Sequence, residues 1–236
     1  VQEKTMECGV CGGTTFTSLK VLWTSLIDEW QISREEAEYV ERQQGEICDS
    51  CGSNLRSIAL ANAIRAYLGT TEVLQDAVRS IASREISILE INEAGNLTPF
   101  LKQFEHYVFG AYPAVDMHAI PYADGTFDMV IHSDTLEHVF NPIHALSECR
   151  RVLKPEGALC FTVPTIVGRM SRDRTGLPMS YHGNPGTATD DLVVRTEFGA
   201  DAWTYAMRAG FTDVTIHTVS YPAATAMLAR NGWTTR

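Results

Sequence analysis

Four of the six cysteines stand in two pairs, Cys8 and Cys11 in CGVCGG, then Cys48 and Cys51 in CDSCGS. Two residues separate the members of each pair, and glycine follows the second. This is the shape of a zinc knuckle: a tight turn aims both sulfurs at one ion, and glycine relieves backbone crowding. Four thiolates leave no open coordination position, so the chemistry expected is structural Zn2+, which stabilises a fold and does not activate water. Disulfides or unrelated thiols are the alternatives. The 36 residues between Cys11 and Cys48 exceed a minimal zinc ribbon and must hold structure of their own. Cys149 in SECRRVL and Cys160 in GALCFTVP read as buried packing residues.

A second stretch, SILEINEAGNLTPF, sets Glu90, Asn92 and Gly95 at the end of an apolar run. Ligands of open parallel sheets gather beyond the carboxyl ends of the strands, so these three residues are placed where a cofactor would lie. Thr98–Pro99 could cap and open a following helix whose exposed amides would meet a carboxylate or phosphate. A generic turn explains Gly95 equally well. Glu137 and Glu148 invite a paired-acid reading, but they lie 11 residues apart across a loop and a helix, and ordinary structural roles fit them better.

The elements that must position these groups change character near Ile86. Before it, LKVLWTSLIDEW predicts a short helix presenting Leu22, Trp23, Leu26 and Trp30. SREE has capping-box spacing from Ser33 to Glu36 and starts a helix ended by Gly45. Helices are also expected over 54–68 and 71–82. After it, ISILEI, HYVFG, FDMVIH, GALCFTVP and TDVTIHTV predict strands. NPIHALSECRRVL, with Pro142 in its first turn, and DAWTYAMRAG predict helices. AATAMLARNGWTTR is expected to supply an antiparallel edge strand. Alternating strands and helices predict an α/β, mostly parallel sheet covered on both faces. The division expected is a zinc-binding helical module over 1–53, a helical lead-in over 54–83 and the main domain over 84–236.

Three segments extend the argument. DMHAIPYADGTFDMVI, SDTLEHVFNP and ALSECRRVLKPEGALCFTVP resemble, in that order, an acid–loop–strand unit, a post-strand segment and a helix–turn–strand unit of class I S-adenosylmethionine-dependent methyltransferases. The resemblance covers roughly Ile86 to Pro164, and FGADAWTYAMRAGF extends it. With the cysteine pairs, FTVP and YHGNP, the chain is similar to a bacterial group of methyltransferases bearing zinc knuckles.

The resemblance implies a Rossmann-like methyltransferase fold with a small N-terminal zinc-bound module. It assigns Glu90, Asn92 and Gly95 to the methionine part of S-adenosylmethionine, Asp116 to the adenine amine and Met117 to the ring border. Ser133 and Asp134 fall near the reactive end. His138 in LEHVF could face substrate as a base, or bond to backbone as a partly buried histidine; Asp134 could order the site or only cap a turn. Tyr181, His182 and Asn184 in SYHGNPGT could cover substrate, with His182 a candidate base. Two departures stand out. The usual glycine pattern is replaced by Glu90, Asn92, Ala94 and Asn96, with Gly95 out of step. No acid for the ribose ends HYVFG, which leaves Tyr107 or Tyr112 as candidates. Asp116 follows Glu90 by only 26 positions, so the helix after the second strand should be missing or very short.

The formal net charge is −10, and it divides evenly between the two parts of the chain. That excludes the global positive field that draws a phosphate backbone. Arg169, Arg172 and Arg174 in VGRMSRDR form a local basic cluster, weak evidence for nucleic acid. No apolar run spans a bilayer, and VQEKTMECGVCGG lacks the pattern of a secretory signal, so a cytoplasmic monomer or homodimer without membrane contact is expected. The function expected is methyl transfer to a small molecule, such as a natural-product or sugar intermediate. The alternatives are an RNA methyltransferase and a non-catalytic binding scaffold.

Overall fold

A computed structural model describes residues 6–81, 85–181 and 190–231. Its first elements are β1 (Phe16–Ser18), α1 (Thr24–Trp30), α2 (Arg34–Gly45), β2 (Glu46–Cys48), α3 (Leu55–Leu68) and α4 (Leu74–Ile81). The capping box forms as expected: Ser33 accepts from the Glu36 amide and Glu36 accepts from the Ser33 amide. Asn54 caps α3 through the amide of Ser57.

The main sheet is built from β3 (Ser87–Ile91), β4 (His106–Gly110), β5 (Phe127–Ser133) and β6 (Leu153–Thr162), which run parallel in the order β4-β3-β5-β6. Between β3 and β4 lies α5 (Thr98–Leu101), a single turn. Between β5 and β6 lies α6 (Pro142–Val152), with Asn141 as its cap. No helix occupies residues 111–126, as the short spacing predicts. Past β6 come a small sheet of β7 (Thr165–Ile166), β8 (Arg172–Asp173) and β9 (Thr196–Gly199), then α7 (Ala202–Arg208), β10 (Asp213–Val219) and β11 (Ala224–Arg230).

Two expectations need correction. The AATAMLAR segment is antiparallel but is not an edge: β11 lies between β6 and β10, and β10 is the edge. Its alanines make this practical, because small side chains let α3 approach an interior strand closely. Lys154–Gly157, expected as a tight turn, lies within β6, where the register against β5 shifts between Phe127 and Met129.

Period-two alternation sorts the sheet residues onto two cores. Ile88, Met129, Ile131, Cys160, Ala226 and Leu228 pack beneath α3, while Leu89, Val130, Leu159, Phe161, Met227 and Ala229 pack beneath α6 and α7. Helix α3 is buried nearly all round, as expected for a helix between two layers. The N-terminal elements cover its outer side and reach the segment after β6. Trp30 Nε1 donates to Ser180 Oγ at 2.7 Å, Gln43 Nε2 to the Thr165 carbonyl at 2.6 Å and the Gly168 amide to Tyr39 Oη at 3.1 Å. Among the described residues no helix is long and apolar enough to cross a membrane.

Candidate functional site

The carboxyl ends of β3, β4 and β5 meet under one cleft of about 1340 Å³, faced on its other side by residues 173–179 and 191–196. Asn92 directly follows β3 with φ +56° and Asp134 directly follows β5 with φ +50°. Asparagine and aspartate tolerate this left-handed conformation better than most side chains. The Asn92 amide donates to the Gly110 carbonyl at 2.8 Å. Its side chain accepts from the Tyr112 amide at 3.1 Å and donates to Thr135 Oγ1 at 3.3 Å. One residue therefore ties three strand ends together. Glycine would supply the conformation but none of the side-chain bonds, which accounts for asparagine where the family pattern has glycine.

Glu90 is fully buried, and its carboxylate is spent inside the loop. It accepts from the Ala94 amide at 2.7 Å, Thr98 Oγ1 at 2.5 Å and Tyr107 Oη at 2.5 Å. Burial, reinforced by this carboxylate, pushes the Tyr107 phenol up. Glu90 thus shapes the turn and does not line the cleft, and Tyr107 is engaged with it, which leaves Tyr112 facing the cleft. Gly95 is also set back: at φ +58°, a Cβ on it would lie 2.6 Å from Ser57 Oγ on α3. Ser133 bonds Thr162 at 2.9 Å and is likewise outside the lining. Thr98 serves Glu90 and does not cap a long helix, so the expected row of free amides is not present there.

Asp116 and Met117 line the cleft on the loop between β4 and β5. The Asp116 carboxylate is held below its usual range by the His118 backbone amide, assisted by the His118 ring. The ring is fixed in turn: Nδ1 meets Asp116 at 3.0 Å and Nε2 accepts from the Asn141 amide at 3.1 Å. With Nε2 accepting, Nδ1 carries the proton and donates. From α6, Arg151 bonds the Ile120 and Tyr122 carbonyls and Glu148 accepts from the Ile120 amide, so both clamp this loop. Arg151 also lowers the Glu148 carboxyl, consistent with the structural role expected for it.

Asp134 pairs with Arg56 of α3 at 2.9 Å, and the Arg56 side chain is only 3% exposed. His138 Nδ1 meets the Val193 carbonyl at 3.1 Å, which requires Nδ1 to donate. Nε2 is 3.6 Å from buried Glu137. Tyr181 bridges to Val193, and its hydroxyl meets Met179 sulfur at 3.6 Å, beside the lining rather than in it. His182 and Asn184 lie outside the described residues. Of the expected residues, then, Asn92, Asp116, Met117, Asp134 and His138 gather around one cleft.

Thr135, His118, Phe140 and Arg195 also line it without having been expected. Arg195 stacks on exposed Phe140 at 3.5 Å from the ring centre. No local pattern could pair residues so far apart in the chain. Arg56 did leave a signal, as one charge in the otherwise apolar start of LRSIALANAI. The basic cluster in VGRMSRDR is neutralised in the fold: Arg169 pairs with Glu36, while Arg172 and Arg174 pair with Glu197.

The four paired cysteines converge, with all Sγ atoms within 4.8 Å of one another. Cys8–Cys51 and Cys11–Cys48 are each 3.7 Å apart. A tetrahedron with Zn–S bonds of about 2.3 Å has edges of about 3.8 Å, so the set has the size of a zinc site. Both knuckles share one turn: the Gly12 amide donates to the Cys8 carbonyl at 2.7 Å and the Gly52 amide to the Cys48 carbonyl at 2.8 Å.

Comparison with known proteins bears on the same region. Residues 90–161 match the family model described as a methyltransferase domain. An uncharacterized 37.1 kDa protein in a transposon of Streptomyces fradiae is 33% identical over 101 residues, 43% of this chain and 29% of that protein. A non-reducing polyketide synthase of Penicillium rubens is 26% identical over 96 residues, 39% of this chain and 4% of that protein. The chain thus spans less than a third of either curated relative. Among solved structures, a SAM-dependent methyltransferase from Thermotoga maritima aligns over 75% of this chain and 90% of its own, with 14% identity and a TM-score of 0.44. The trans-methyltransferase CalH complexed with SAH aligns over 83% and 58%, with 16% identity and a TM-score of 0.43. Residues 90–161, which run through the strands whose ends form the cleft, are thus the part of the chain that is similar to a methyltransferase domain.

Proposed function

We propose that the chain transfers a methyl group from S-adenosylmethionine to a small acceptor. The observation that carries this is a coincidence of place: Asn92, Asp116, Met117, Asp134 and His138 line one cleft and all fall within the segment matched as a methyltransferase domain. The cleft has the capacity for a nucleoside-sized ligand with room for a second molecule, and its acidic lining suits a sulfonium cation. Asn92 and Thr135 are assigned here to the methionine portion, Tyr112 to the ribose, Asp116 to the adenine amine and Met117 to the ring face. When bound, S-adenosylmethionine supplies an electrophilic methyl group.

The protein's part is to exclude water and align the acceptor, with a base needed only where the acceptor atom carries a proton. His138, on the cleft lining, is retained as the candidate for that base or for a substrate contact. Asp134, held by Arg56, orders the end of β5. Tyr181, His182 and Asn184 are retained as proposed acceptor contacts, with His182 a second candidate base. Glu90 and Gly95 are assigned to shaping the cofactor turn and Ser133 to supporting it.

The cysteine tetrad is proposed to hold one structural Zn2+, supported by its 3.7 Å edges. Residues 1–53 would form the zinc module, 54–83 the helical lead-in and 84–236 the catalytic domain. Neutralisation of Arg169, Arg172 and Arg174 counts against an RNA acceptor. Calorimetry with S-adenosylmethionine and S-adenosylhomocysteine tests the proposal: micromolar binding is expected, and no heat at high protein concentration defeats it. The Asp116→Ala variant should bind about tenfold more weakly, through loss of a charge-assisted hydrogen bond.

A further inference from the structure

We propose that the second cysteine knuckle supports the cofactor loop from behind, so that metal in the tetrad and ligand in the cleft strengthen each other's binding, with Asn96 and Arg56 as the positioning residues. This rests on the metal and methyl-donor reading above.

Three contacts leave the short segment that begins at Cys51. The Gly52 carbonyl accepts a hydrogen bond from Asn96 Nδ2, on the turn after β3. Ser57, whose amide is capped by Asn54 at 2.9 Å, lies directly against Gly95 of that turn. Arg56 crosses to Asp134 at 2.9 Å, on the rim of the cleft. Each joins the knuckle, or the first turn of the helix springing from it, to a strand end that carries cleft residues.

The contacts are specific in geometry. Gly52 sits at φ +74°, and a Cβ there would meet Asn96 Nδ2 at 3.2 Å, so the loop approaches the knuckle as closely as glycine permits. The orientation of the Gly52 carbonyl follows from the knuckle turn, closed by the bond from the Gly52 amide to the Cys48 carbonyl. That turn is the one Cys48 and Cys51 need to aim both sulfurs at one ion. A loop rich in glycine cradles its ligand through its own backbone. Here Asn92, Ala94 and Asn96 replace that pattern, and the rigidity comes from a neighbouring metal-clipped turn. Packing alone would make the module and the sheet stable neighbours. The carbonyl-to-amide bond and the ion pair from buried Arg56 to the cleft rim add a directional requirement that metal release would relax.

Coupling between two ligands is reciprocal: each must change the other's affinity by the same factor. The test is zinc competition against a chromophoric chelator on the whole chain, without and with saturating S-adenosylhomocysteine. Zinc affinity should rise about tenfold with the nucleoside present, within the usual span of such couplings. S-adenosylhomocysteine affinity should fall by the same factor between zinc-saturated and zinc-free chain. The exposed Asn96→Ala change should leave one zinc per chain and an unchanged melting profile while reducing the coupling toward unity. Arg56→Lys, which keeps the charge, should retain more coupling than Arg56→Met.

If both ligands bind and zinc affinity is the same with and without S-adenosylhomocysteine, the inference fails while the proposed function stands. Coupling unchanged in Asn96→Ala overturns the role given to that contact. If either ligand fails to bind at all, the inference falls together with the reading beneath it.

Discussion

His132 should make the fold sensitive to mild acid. It lies on β5, fully buried, with its ring against Phe161 at 5.1 Å between centres. Neither ring nitrogen has a hydrogen-bond partner among the described residues. Burial lowers its pKa from 6.5 to about 4, partly countered by the charge of Glu137. The folded state therefore holds the ring neutral, whereas the unfolded chain takes up a proton near pH 6.5. Because the folded pKa is depressed, this contribution to stability is full above about pH 6.5 and is lost as pH falls toward 4. A gap of roughly 2.5 units at about 1.36 kcal/mol each limits the effect to about 3.4 kcal/mol, of which about 2 kcal/mol disappears between pH 7 and 5.

The perturbation is His132→Met, which removes the titration and fills similar volume. An unbonded imidazole is costly to bury, so the variant should match or exceed the parent at pH 7. Urea unfolding of both proteins at pH 7, 6 and 5 provides the measurement. Other groups also titrate, among them the cysteine thiols, so the readout is the difference between the two proteins at each pH. That difference should grow by about 2 kcal/mol in favour of the variant from pH 7 to 5. Parallel pH profiles would refute the claim that His132 is neutral in the fold.

Other outcomes follow from the same geometry. Tyr107→Phe should lower stability by about 1.5–3 kcal/mol in urea unfolding, because it strips one bond from the buried Glu90 carboxylate, and it should weaken S-adenosylhomocysteine in calorimetry. Elemental analysis of fresh, unchelated protein should find about one zinc per chain, and Cys48→Ser should lose most of it. Removing Arg56 leaves the partly exposed Asp134 carboxylate without its charge-assisted partner, so Arg56→Met should cost about 1–3 kcal/mol, read from the shift in the urea midpoint.

The sequence by itself determined the elements and the local chemistry. Ser33–Glu36, Asn54 and Pro142 mark helix starts through short-range hydrogen bonding and fixed φ. Alternation in ISILEI and FDMVIH distributes side chains to two faces whatever lies on them. The two CxxC turns aim their sulfurs locally, so the four cysteines that converge are legible from their spacing alone. Tertiary structure decided how the groups are used. Glu90 belongs to the turn because Tyr107 and Thr98 reach it from outside its own strand. Asn92 replaces glycine because the neighbouring strand ends offer partners to its amide. β11 is interior because α3 lies over its alanines, and the arginines of VGRMSRDR are silent because Glu36 and Glu197 arrive from distant segments. Arg56 shows the limit most plainly. Its charge is visible in an apolar helix, but its role depends on Asp134, 78 positions away, and such pairings are set by the packing of whole layers, which no local pattern encodes.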